Sequence, residues 1–243
     1  MFYSLSNHLG RGLSGFTPLR YAPALWLDAA DASTLYNGAS LAAADEPISS
    51  WRDKSGNDRH ATQATGVSQP LRKAAVQNSN DVVRFDGVND YLNHPLAING
   101  GNHTTFIVAK GGSTNWETVF GSSDAGAAAS GMIFASSVGV NAWGTYTNTY
   151  VSSGVSASSF VLMQSEYNGS STTLRTNGAS VVVGGAAYSG DSSERKCIGA
   201  SYTGVPTQCL NGDIAEILVF PTALSDTERE NVELYLNRKW GIY

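Results

Sequence analysis

The chain is 243 residues long, 42% hydrophobic and 14% charged, with a formal net charge of −5. That composition supplies a sizeable core and excludes a disordered chain, and all-β sandwiches reach this length as one domain. No Lys/Arg cluster is present to neutralise phosphates, which excludes nucleic acid as a partner. No apolar run of about 18 residues is present either, which excludes a membrane-spanning helix.

Residues 1–22 differ from the rest. Phe2, Leu5, Leu9, Leu13, Phe16 and Leu19 recur along them, while Gly10, Gly12, Gly15 and Pro18 prevent a stable helix. The expectation is an extended arm whose apolar side chains lie on its own domain or on a neighbouring subunit. The first residues hold neither a basic stretch nor an apolar core of signal-peptide length, so no Sec-type signal is expected.

From Pro23 onward, short apolar or alternating runs recur between turn signals, as in a sandwich. Strands are predicted at 24–28, 48–51, 82–86, 91–93, 104–110, 117–121 and 131–135. Further strands are predicted at 140–146, 160–167, 172–176, 180–183, 196–200 and 213–220. Asn177-Gly178 tolerates the positive φ angles of a two-residue hairpin turn, and Asn168-Gly169 has similar chemistry.

One helix is predicted over 226–239, opened by the capping box Ser225-Asp226-Thr227-Glu228. Acidic residues occupy its start and Arg238 and Lys239 its end, which suits the macrodipole. Val232, Tyr235, Leu236 and Trp240 form one apolar stripe for docking on the sandwich.

Four segments in this order and spacing resemble the laminin-G-like group of the concanavalin A-like lectin/glucanase superfamily. They are Leu25-Trp26-Leu27-Asp28-Ala29, Trp51-Arg52-Asp53-Lys54-Ser55-Gly56-Asn57 and Arg84-Phe85-Asp86-Gly87-Val88-Asn89-Asp90-Tyr91-Leu92. The last is Asn211-Gly212-Asp213-Ile214-Ala215-Glu216-Ile217, followed by the capped helix and Lys239-Trp240-Gly241. The resemblance implies an all-β, antiparallel concanavalin A-like jelly-roll sandwich over residues 23–243, closed by one C-terminal α-helix. Domains of this kind are frequent in bacteriophage structural proteins and secreted bacterial adhesins. The fold hosts lectins, hydrolases and structural modules alike, so the chemistry must come from the residues.

Laminarinase-type relatives carry Glu-x-Asp-x-x-Glu or Glu-x-Asp-x-Glu on one strand, the first Glu as nucleophile and the last as general acid. Here the stretch reads Asn211-x-Asp213-x-x-Glu216, with an amide in the nucleophile position. In a regular strand Asp213 and Glu216 also point to opposite faces. No catalytic residue is assigned. Asp53, Asn57 and Asp58, and likewise Asp86, Asn89 and Asp90, offer oxygens but lack the spacing of a calcium loop. Asx turns account for both sets, and no metal or cofactor is expected. Cys197 and Cys209 fit no zinc spacing and read as a cross-strand disulfide or two buried thiols.

The segment 141–150 interleaves aromatics with small hydrogen-bonding residues. As one strand it places Tyr146, Asn148 and Tyr150 on one face and Trp143 on the other. These four residues suit carbohydrate binding, since ring faces stack on pyranose C–H groups; the competing reading packs them in the core or an interface.

The resemblance, the missing signal and the apolar arm together imply a non-catalytic virion structural protein of a tailed bacteriophage. It would be a head decoration, fibre or tail component, made in the host cytoplasm and displayed on the virion surface. Its arm (Phe2, Leu5, Leu9, Leu13, Phe16) would anchor it to capsid or tail proteins or to copies of itself. The alternative is a glycan-binding, lectin-like adhesion module of a phage or bacterial surface protein, with host-surface glycans as partners. A glycoside hydrolase stands third.

Overall fold

The computed structural model describes residues 15–96, 101–111, 116–122, 130–136, 141–146, 150–184, 196–202 and 205–243. Among these, the strands form two large antiparallel sheets and one short hairpin, with a single α-helix, Asp226–Trp240, at the C-terminus. This is the predicted all-β sandwich closed by one helix.

Strand Asn211–Phe220 is the axis of the first sheet. Along one side it pairs with His103–Lys110, which continues to Val161–Tyr167, Thr172–Thr176 and Ala179–Gly184. Its other side is shared by two strands in succession: Asn80–Asp86, itself paired with Leu71–Gln77, and then Leu25–Asp28. The Asn177-Gly178 turn forms as the sequence dictates, with φ of 52° and 76°. Both values lie in the left-handed region that this dipeptide tolerates.

The period of two sorts each strand between two apolar layers. Ile107 and Ala109 face the space between the sheets, where they meet Trp51, Phe85, Phe120 and Ile198. Phe106 and Val108 face outward and are covered by Val232, Leu236 and Trp240 of the helix. The predicted stripe therefore docks, and half-buried Tyr235 flanks it.

A β-bulge between Ile214 and Glu216 interrupts the axial strand. Ile214 belongs to the inter-sheet core and Ala215 to the helix layer, yet Glu216 also bonds to helix residues before Ile217 returns to the inter-sheet core. A bulge adds one residue and re-aims the side chains beyond it. Asp213, opposite Lys110, and Glu216, opposite Val108, therefore share the helix-covered face. This corrects the expectation of opposite faces, which assumed an unbroken strand.

The motif loops act as staples. The Asp53 carboxylate accepts from the backbone N–H groups of Trp26 (2.9 Å), Ser55 (2.8 Å) and Arg59 (3.0 Å). Asp86 does the same for Val88 (2.8 Å) and Asn89 (3.1 Å). These are Asx turns. No disulfide joins Cys197 to Cys209; both belong to a small cluster with Tyr91 and Ala200.

Candidate ligand-binding face

The second sheet runs from Tyr150–Ser156 at one edge to Ser40–Leu41 at the other. Trp51, Ala61, Leu92, Ile198, Phe120 and Met132, all buried, fill the inter-sheet core from its inner face. Residues of opposite parity make a row on the outer face, each the cross-strand partner of the next, with Cys197 and Gly121 buried in its middle. The row reads Tyr36, Ser50, Thr62, Asn93, Cys197, Gly121, Gly131, Tyr146 and Tyr150. At about 4.8 Å per strand it spans roughly 40 Å.

Two of the four predicted carbohydrate-binding residues thus stand side by side, though not as the sequence suggested. Strand Asn141–Tyr146 ends at Tyr146, the next begins at Tyr150, and the two tyrosines face each other across antiparallel strands. The expectation of one continuous strand is corrected: alternation read along a sequence does not show where one strand ends and the next begins when no Gly or Pro intervenes. Trp143 pairs with Phe134 in a row of the other parity. Asn148 lies outside the described residues.

At the opposite end of the row the guanidinium of Arg52 lies 3.6 Å from the centroid of the Tyr36 ring. Arg52 and Thr62 are exposed, while Tyr36, Ser50, His60 and Asn93 are half-buried. The backbone N–H of Asp53 donates to Nδ1 of His60 at 3.1 Å, which fixes the imidazole and leaves Nε2 as its N–H donor. Sequence reading missed Tyr36 and Arg52 as a pair. The alternation of Leu35-Tyr36-Asn37 was the available signal, but it is only three residues long.

The acidic residues of the strand motif are engaged elsewhere. Asp213, with a fully buried side chain, is held by Arg84 (2.6 and 2.9 Å) and Lys110 (3.1 Å). Glu216, equally buried, accepts at Oε1 from the Trp26 indole (2.7 Å) and the Tyr235 hydroxyl (3.0 Å). At Oε2 it accepts from the Trp240 indole (2.7 Å) and Lys239 (2.8 Å). Lys239 also pairs with Asp28, which Lys54 contacts at 2.8 Å. Burial, and then the neighbouring Asp28 carboxylate, push the Glu216 pKa up, while Lys239 opposes them. A cleft of about 260 Å³ lined by Phe16, Tyr235, Arg238 and Lys239 lies above this network.

Of the predicted arm, Phe2, Leu5, Leu9 and Leu13 lie outside the described residues. Phe16 is half-buried against Tyr21 and Tyr235 of its own domain.

No protein family and no curated protein matches this sequence. Solved structures do share its fold. Trypanosoma rangeli sialidase in complex with sialic acid matches with a TM-score of 0.60 and 13% identity, over 90% of this chain and 33% of that one. The chain thus spans about a third of the sialidase's length. The binding domain of Paraclostridial Mosquitocidal Protein 1 matches with a TM-score of 0.61 and 13% identity, over 92% of this chain and 56% of that one. Domain 4 of AbnA, a GH43 extracellular arabinanase from Geobacillus stearothermophilus, in complex with arabinotriose, gives 0.52 and 11%, over 76% of this chain and 97% of that one. At these identities the likeness is one of fold.

Proposed function

We propose that this chain is a glycan-binding module without catalytic activity of its own. The observation that carries the reading is the outer row of the second sheet, with Tyr146 and Tyr150 at one end, Tyr36 with Arg52 at the other, and hydroxyl and amide groups between. Aromatic rings offer flat apolar area with polar tips, and hydroxyls and amides at strand spacing offer hydrogen bonds to sugar hydroxyls. The likeness to the arabinanase domain, described in complex with arabinotriose and matched over nearly its whole length, supports the same reading.

Asn211 in the nucleophile position supports the absence of catalysis, because an amide cannot form a glycosyl ester. The ion pairs and indoles around Asp213 and Glu216 support it too, since both carboxylates are buried from any substrate. The displayed-virion reading rests on the sequence expectations given above, and we place it second.

An array of immobilised neutral and acidic oligosaccharides tests the proposal. At least one glycan should retain the protein, the double variant Tyr146→Ala/Tyr150→Ala should bind it at least tenfold more weakly, and no reducing ends should be released. Failure to retain any glycan overturns the binding reading. Turnover abolished by Glu216→Gln overturns the non-catalytic one.

A further inference from the structure

We infer that the ligand of this face is an acidic saccharide whose carboxylate is held by Arg52, an inference that rests on the glycan-binding reading above. Arg72, Arg84, Arg175 and Arg229 each pair with an Asp or Glu. Among the described residues no carboxylate pairs with Arg52, whose guanidinium instead lies over the Tyr36 ring, 3.6 Å from its centroid. The charge is therefore exposed, unspent within the domain and already oriented. A guanidinium stacked on an aromatic ring keeps its in-plane N–H donors, and their fork matches a carboxylate bidentately. Because the ring contact holds the guanidinium beforehand, less side-chain freedom is lost on binding.

What surrounds Arg52 fits the rest of a sugar. Ser50 lies two residues before it on the same face, with Thr62 opposite Ser50 and Asn93 opposite Thr62. The row thus offers two hydroxyls and an amide at about 4.8 Å intervals, the scale on which a pyranose presents its ring hydroxyls. His60, two residues before Thr62 on that face, has its ring fixed by the Asp53 N–H and adds the Nε2–H donor. One cationic fork at the end of a line of neutral donors and acceptors calls for a ligand that is anionic at one point and hydroxylated along the remainder. A sugar carboxylate, of a uronic or a sialic acid, has that pattern.

Two matched pairs of probes test the inference by calorimetry: tri-galacturonic acid against its methyl ester, and 3′-sialyllactose against lactose. Wild type, Arg52→Ala and Arg52→Lys are compared, with melting temperatures measured to confirm folding; Arg52 is exposed, so all three should fold. One acidic probe should bind at least tenfold more tightly than its neutral partner, and which one does so identifies the source of the carboxylate. That preference should weaken with added salt, vanish in Arg52→Ala and return only in part in Arg52→Lys, which lacks the fork. Equal binding of acid and neutral partner, or an acid preference unchanged in Arg52→Ala, overturns this inference and leaves the glycan-binding reading standing. No binding to any of the four probes, nor to the wider array, overturns both.

Discussion

The indole N–H of Trp240 donates to Oε2 of Glu216 at 2.7 Å, tying the last turn of the helix to the middle of the axial strand. Four donors converge on that one carboxylate, two of them indoles from opposite ends of the chain. Trp26 and Asp28 of the first strand, Glu216 of the axial strand, and Lys239 and Trp240 of the helix thus meet in one buried network that holds the helix on the sheet.

Glu216→Gln tests this network, because it keeps the shape but turns one acceptor into a donor. Either the Trp26 indole and the Tyr235 hydroxyl, or the Trp240 indole and Lys239, then face an N–H, and a buried unmatched donor costs about 1–3 kcal/mol. Trp240→Ala should cost about 3–5 kcal/mol, as expected for a fully buried ring. Urea midpoints measure both, and an unchanged midpoint for Glu216→Gln would show that the helix is held by apolar packing alone.

The helix start provides a smaller, independent test. The Ser225 side chain accepts from the Glu228 N–H at 3.5 Å, and the Glu228 carboxylate accepts from the Ser225 N–H at 3.0 Å. The predicted capping box is formed. Ser225→Ala should cost about 1 kcal/mol, less than either change at the buried end. A cost equal to that of Trp240→Ala contradicts the assignment of the docking energy to the C-terminal turn.

Acid should act on the core through His94. Its ring stacks on Phe120 at 4.6 Å, and neither ring nitrogen has a partner among the described residues. Burial, and then the Lys196 charge, drive its pKa from 6.5 down to about 3. The folded state therefore resists the proton that the unfolded state takes up. Stability is unaffected above pH 6.5 and is lost as pH falls toward 3, by roughly 4 kcal/mol at the lower end. Asp90 works the other way: burial, and then Asp86, raise its pKa to about 6, so its ionisation weakens the fold as pH rises from 4 through 6. In urea titrations from pH 7 to 4, His94→Phe should lose less stability than wild type. Asp90→Asn should be more stable at pH 7 and lose that advantage by pH 4. A His94→Phe profile parallel to wild type excludes the histidine as the acid-sensitive group.

Much of this fold could be read from the residues, and the parts that could not share a cause. Strands such as His103–Lys110 and the helix are long enough for a period to repeat, and Asn177-Gly178 carries its turn chemistry locally. Ala61–Thr62 and Ser40–Leu41 are two residues each, too short for any period to show. The bulge at Ala215 leaves no mark in composition, because what selects it is Glu216 meeting Trp26, Tyr235, Lys239 and Trp240 from both ends of the chain. The stack of Arg52 on Tyr36 and the meeting of Tyr146 with Tyr150 arise in the same way, from strand pairing that no local pattern encodes.

Residues 16–21 of the N-terminal segment pack against the C-terminal helix. The Phe16 ring lies 5.7 Å from the Tyr21 ring and 6.0 Å from Tyr235, and Asn231 of the helix donates to the Tyr21 hydroxyl at 2.9 Å. Pro18 is buried in a short 3₁₀ turn whose start is capped by Thr17. Residues 16–21 are thus part of the helix layer, whatever role the preceding apolar residues have in assembly. Phe16→Ala should cost about 1–2 kcal/mol, below the 3–5 kcal/mol of a fully buried ring because the side chain is only half-covered. Tyr21→Phe and Asn231→Ala should be coupled by about 0.5–1.5 kcal/mol in a double-mutant cycle, the worth of one hydrogen bond. Deleting residues 2–21 removes all of these contacts and should lower the urea midpoint clearly. A urea midpoint unchanged by that deletion would show that residues 16–21 do not hold the helix layer.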